Sequence, residues 1–390
     1  MFYGEKLYEI REMFSYTRKE LADELQLSEQ LIWQFETNQI TPDFMVINAL
    51  KNLFHVRSSF FFRESYLENI SETGRIAYRK KTGEPRNHVK MEKFFLDYFF
   101  AHIQSIEEVV YPTGDKIHSL CNKIELDYDL TKLSTEEIKT IAEEAREKLD
   151  IVTNKRLMYY MELSGIYIVE RDLEHTIDAY SSWLLNDTYP VIVLNNRKNP
   201  IVRRNFDLGH ELGHLLLHRY ADFDQLNMDQ LNKLEGEANL FSSYFTLPTK
   251  ELKEDFKQID NPTNPDSYIS LKKKYRMSIQ AIEYRANTEG WISKKNNRLF
   301  WKNINKNGYR MFEPLDDELK IHIPGKIRAL LFRAMDTNGT IVTDWLEKYH
   351  VDVQFFEKLF GLKDDLLRKH IDTYLSNYSL GENILRIKNI

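Results

Sequence analysis

The chain has 390 residues, 42% hydrophobic and 29% charged, with a formal net charge of −6. That balance excludes a disordered or fibrous chain and gives no global pull towards nucleic acid, so any DNA contact has to be local. A single cysteine, Cys121, excludes an internal disulfide framework and suits a reducing compartment. No apolar run approaches the ~20 residues of a membrane span. Residues 1–6 lack the basic start of a signal peptide, so the expectation is a cytoplasmic protein with no membrane partner.

Residues 1–62 read as five short helices, the first with Leu7, Ile10 and Met13 inward. Thr17 and Glu20 form a capping box that opens the second, and Ser28 is the N-cap of the next, over 28–36. Thr41-Pro42 breaks the chain before a helix carrying Met45, Ile47, Leu50 and Leu53. Two helices joined by a short turn, the second polar at its start, form a helix-turn-helix. This head resembles the Xre/Cro-type repressor domain, with 28–36 as recognition helix. The resemblance implies a DNA-facing set that starts at Ser28. In it Glu29, Gln30 and Trp33 would meet base edges, with Gln34 and Asn38 near the phosphates. Two features depart from that pattern. Residues 1–65 hold ten Asp and Glu against seven Lys and Arg, and Trp33 equally suits an anchor for a protein partner. DNA binding and protein docking or dimerisation both stay open. A homodimer is the usual working state of such a head.

Residues 66–132 read as a helical connector. Arg75, Arg79, Lys80, Lys81, Arg86, Lys90 and Lys93 make it locally basic, which is first a solvated face. The apolar run 94–100 is too short for a membrane span and reads as a core-packing helix. Ser134 to Glu137 opens a helix to about residue 149, with Ile138, Ile141, Ala142 and Ala145 on one side. Strands follow over 165–169, 179–184 and 191–194.

The stretch 207–218 carries the chemistry. On a helix His210 and His214 stand four apart, so both imidazoles leave one face and can share a Zn²⁺ at roughly 2.0–2.1 Å. Glu211, one step round, is free to act as general base on a water held by the metal. A third ligand is available on a second amphipathic helix, where Glu235 and Asn239 share a face. One of them would bind the metal while the other hydrogen-bonds a ligating histidine. His-Glu-x-x-His, then Glu235-x-x-Ala238-Asn239-x-Phe241 and Leu247-Pro248, resembles the ImmA/IrrE-type zinc metallopeptidases, relatives of the gluzincins. Ser242-Ser243 stands where that family often has Ala or Gly. The resemblance implies His210, His214 and Glu235 as ligands, Glu237 being the competing third, and Glu211 as base. It also implies a minimal zincin α+β core over 133–255, whose edge strand 180–184 would pair with the substrate backbone. His218 reads as a capping or supporting residue. Tyr180, Tyr220, His175 and His218 are all open candidates for stabilising the oxyanion.

Residues 256–390 read as a mostly helical C-terminal domain, with a closing module over 323–362. Lys294, Lys295, Arg298, Lys302, Lys306 and Arg310, interleaved with Phe300, Trp301 and Tyr309, read as a solvated hairpin before a nucleic-acid patch. The whole is expected to be mainly α with a small β-sheet. The leading function is a zinc endopeptidase acting on a repressor- or antitoxin-like protein in a stress, phage or mobile-element response. The rival is a DNA-binding transcriptional regulator whose metal site is structural or sensory.

Overall fold

The computed structural model describes residues 1–390 except 69, 78–86, 113, 174–176, 198–199, 363–366, 370 and 373–390. Arg79, Lys80, Lys81 and Arg86 of the basic connector, and the oxyanion candidate His175, lie outside the described residues. The chain is mainly helical with one small sheet. The head consists of α1 (Gly4–Met13), α2 (Arg18–Leu25), α3 (Glu29–Glu36), α4 (Phe44–Phe54) and a 3-10 turn at Ser58–Phe62, as the sequence reading expected. Its local signals work as designed. Thr17 and Glu20 close a reciprocal capping box, Ser28 Oγ accepts from Leu31 N–H, and Asp43 caps α4.

The apolar run 94–100 lies inside α5 (Asn87–Glu107), where Phe95, Leu96, Phe99 and Phe100 are buried. Next come α6 (Lys116–Asp127), α7 (Thr135–Lys148) with its Ser134/Glu137 capping box, and α8 (Leu157–Leu163). Three strands follow: β1 (Tyr167–Arg171), β2 (Ala179–Leu184) and β3 (Tyr189–Asn195). β1 starts two residues later than the apolar pattern suggested, because Gly165 at φ +114° turns the chain out of α8. The order is β1-β3-β2, with β1 parallel and β2 antiparallel to β3, so β2 is an edge. Side chains alternate across this sheet. Tyr167, Val169, Tyr180, Leu184 and Val193 join the core that holds the head and α5. Ile168, Trp183, Ile192 and Leu194 join a second core.

That second core is formed with α7, α9 (Ile201–Leu217) and α10 (Met228–Thr246). Then α11 (Thr249–Phe256), α12 (Ile269–Tyr275), α13 (Ile279–Thr288) and α14 (Lys294–Lys306) enclose a third. The hairpin expected around Phe300 is instead the helix α14. Ser293 caps it, and the four-residue spacing of Phe300 and Ile304 turns both into the core while its Lys and Arg point outward. Further on, α15 (Lys326–Thr337), α16 (Ile341–Tyr349) and α17 (Val353–Leu359) return to the first core. Val351 bridges Val56 there, and Arg57 N–H and Asp352 N–H donate to His350 O and His55 O. Among the described residues no helix is long and apolar enough to cross a membrane.

A buried carboxyl joins α8 to α15. Glu162 accepts from the backbone N–H of Gly325 and Lys326, each at 2.9 Å, and burial raises its pKa to about 7 despite those donors. The folded chain therefore holds this proton more tightly than the unfolded chain, where the ordinary value is 4.5. The stability so contributed is full below that value and lost as pH rises through about 7. Thermal unfolding followed between pH ~5 and ~8 should show a falling midpoint, and Glu162→Gln should flatten that slope. An identical slope in the variant would assign the effect elsewhere.

Candidate metal centre

The site is built where α9 and α10 cross at close range. Gly209 and Gly213 lie on the contact face of α9. A Cβ on Gly209 would sit 2.7 Å from Ser242 Oγ, and one on Gly213 would sit 3.2 Å from Ala238 Cα. A Cβ would force Ser242 aside at the first position and crowd α10 at the second, so glycine at both favours this close approach. The approach brings Glu235 of α10 to within 3.6 Å of His214.

His210, His214 and Glu235 offer ligand atoms that all lie within 4.8 Å of one another. His210 Nε2 and His214 Nε2 are 3.1 Å apart, and Glu235 oxygens stand 3.5 and 3.6 Å from them. Ligands at 2.0–2.1 Å around a tetrahedral ion are separated by roughly 3.3 Å, so the spacing fits. Hydrogen bonding sets the protons. His210 Nδ1–H donates to Asn239 Oδ1 at 3.0 Å, which leaves Nε2 with its lone pair. His218 Nε2–H donates to Glu237 Oε2 at 3.0 Å, so its Nδ1 accepts from His214 Nδ1–H at 2.9 Å, and His214 Nε2 is bare as well. Two bare imidazole nitrogens facing each other repel unless a cation lies between them. The donor set therefore fits a divalent metal.

Electrostatics point the same way. Burial lowers the pKa of His214, keeping it in the neutral form that ligation requires. Burial lowers His218 too. At Glu237 burial pushes the pKa up, but His218 and Lys233 outweigh it and the net shift is down. That carboxylate orients His218 and through it His214. Replacing Asn239 or His218 by Ala should thus weaken metal binding about 10–100-fold with the fold retained, measured by competition with a chromogenic chelator. Unchanged affinity in both would remove them from the site.

Glu211 is buried, and its Oε2 accepts from Ser181 Oγ at 2.7 Å. Burial raises its pKa well above the usual carboxylate range. Ser181 works against that rise, and Glu235 and Asp207 add to it. Ser181 lies on the α9 face of β2, and Trp183 Nε1–H ties the same strand to Leu215 O at 2.9 Å. Among the described residues, the outer edge of β2 is met by Ala77, in an antiparallel bridge to Ser181.

Glu237 serves His218 rather than the ligand cluster. Tyr180 O–H donates to Glu92 on the far side of the sheet, and Tyr220 O–H donates to Glu125. In the head, Glu29, Gln30 and Trp33 are exposed and Gln34 is half-buried. Ser28 caps α3, and Asn38 Oδ1 accepts from Gly4 N–H at 2.8 Å, so both side chains serve the fold. Sequence reasoning missed Ser181 and the link from Glu237 through His218. It also missed Phe223, whose ring centroid lies 5.8 Å from that of His214. A serine in an apolar strand carries no local signal of such a role.

No curated protein matches the chain. Residues 161–287, which hold the sheet, α9, α10 and the whole ligand cluster, match a peptidase family model described as the IrrE N-terminal-like domain, and it is to this family that the metal-centre part of the chain is similar.

Proposed function

We propose that the chain is a zinc-dependent endopeptidase in which His210, His214 and Glu235 hold the metal and Glu211 is the general base. The observation that carries this reading is a converging group of three ligands beside a buried carboxylate that is not one of them. A structural zinc is closed by four protein ligands, whereas a catalytic one keeps a position for water or substrate. Bound there, zinc supplies a more acidic water and a Lewis acid for the scissile carbonyl. Glu211 does the rest of the proton work. Ser181 Oγ–H holds Oε2, and Oε1 takes the proton from the attacking water and passes it to the leaving amine. The β2 edge provides main-chain groups along which an extended substrate would pair. A repressor- or antitoxin-like regulatory protein is the substrate class the family resemblance implies.

For the head, burial and charge favour docking to a protein over reading DNA. Of the positive groups in 1–65, Lys6 is buried against the Phe60 and Tyr66 rings, and Arg11 and Arg18 both pair with Glu36. Lys6 and Arg11 are therefore out of reach of phosphates, and Glu36 offsets part of the charge of Arg18. Trp33 on α3, Ile40 in the turn after it, and Phe44 and Met45 at the start of α4 are instead exposed.

Elemental analysis tests the metal reading. About one Zn²⁺ per chain is expected in the wild type and none in the His210→Ala/His214→Ala double variant. Wild-type protein that stays metal-free in the presence of zinc would remove the peptidase reading and leave the head to explain the chain.

A further inference from the structure

We propose that residues 74–77 are an internal occupant of the peptide-binding edge, a strap lying where substrate would lie, so that the peptidase is held closed until the strap is displaced. This rests on the peptidase reading above. The geometry of the strap is specific. Ala77 N–H donates to Ser181 O at 2.9 Å in an antiparallel bridge on the edge of β2. Ser182 Oγ–H donates to Arg75 O at 3.2 Å, extending the contact along the same strand. At its other end Gly74 O accepts from Phe223 N–H at 2.7 Å. Gly74 lies so close to the Asp222 carboxylate that a Cβ there would overlap it. Arg75 Nη1–H donates to Arg219 O at 2.6 Å, and Ile76 is buried.

The anchors are neighbours of the proposed chemistry. Ser181, which receives Ala77, holds the Glu211 carboxylate through its hydroxyl. Phe223, which holds Gly74, has its ring against His214. The strap thus runs from beside a proposed metal ligand to beside the proposed base. An entering peptide that pairs with β2 needs the Ser181 carbonyl, and that carbonyl is already engaged in the sheet direction by Ala77. Strap and substrate therefore exclude each other. A competitor tethered in the same chain lowers apparent substrate affinity by the fraction of molecules in which the edge is open.

Two variants attack opposite ends of the strap. Ala77→Pro removes the N–H that Ser181 O accepts, and Gly74→Val forces a side chain into the space of Asp222. Zinc-loaded full-length wild type and both variants are titrated calorimetrically with leucyl-tryptophan hydroxamate, which needs the edge, and with acetohydroxamate, which needs only the metal. The expected result is at least about a tenfold gain in dipeptide hydroxamate affinity in either variant, with acetohydroxamate unchanged. Dipeptide hydroxamate affinity that is unchanged or weaker in both variants overturns the strap, while acetohydroxamate binding leaves the metal site standing. Failure of both hydroxamates on all three proteins sinks the peptidase reading, and the strap proposal with it.

Discussion

Glu211→Gln is expected to leave about one zinc per chain in place while peptide hydrolysis falls roughly 10²–10⁴-fold, the usual range for loss of a positioned base. The amide is isosteric with the carboxylate and still accepts from Ser181 Oγ through its carbonyl oxygen, so β2 and α9 keep their contact. What disappears is the group that takes the water proton and returns it to the leaving amine. The ligands on either side of it, with their supporting Asn239 and His218, are untouched. Metal content and hydrolysis of a denatured protein substrate, measured on the same preparation, separate the two roles. Full cleavage by the variant would end the mechanism, and lost metal would make Glu211 part of the binding site.

The largest effect on stability is expected at Lys272. Its ammonium is fully buried on α12 and donates to Glu313 Oε2 at 2.8 Å and Asp316 Oδ1 at 2.6 Å, both carboxylates being buried as well. Glu313 also accepts from Ile279 N–H at 2.8 Å and Gln280 N–H at 3.1 Å, so the same cluster holds the start of α13. Lys272→Met keeps the apolar stem, one atom shorter, but strands two carboxylates away from water. Breaking a buried pair in this way costs about 3–5 kcal/mol. Chemical denaturation of the full chain should show that loss in the transition of the α11–α14 core. The triple variant Lys272→Met/Glu313→Gln/Asp316→Asn should recover much of it, because no charge is then left unpaired. A loss under ~1 kcal/mol in the single variant would show that water or another cation reaches the carboxylates.

Much of the site was legible in the chain because its signals are local. His210, Glu211 and His214 sit on one helix, where spacing alone decides which side chains share a face. The capping residues Thr17, Ser28 and Ser134 likewise act within three positions of themselves. The choice between Glu235 and Glu237 was not of this kind. The two residues point to different sides of α10, and which side meets α9 depends on how closely Gly209 and Gly213 let the helices approach.

By itself, then, the sequence determined the helical character, the small sheet, the two-histidine face with its adjacent carboxylate, and the existence of a nearby acidic helix. These follow from periodicity and short-range hydrogen bonding. Tertiary structure alone decided that Glu235 faces both histidines, that Glu237 steadies His218, and that Ser181 holds Glu211. It also decided that α15–α17 return to the head and that Ala77 lies on the edge of β2. Each of these contacts joins residues far apart in the chain. What selects them is the burial of apolar surface and the pairing of buried polar groups across whole elements, which no short stretch of sequence displays.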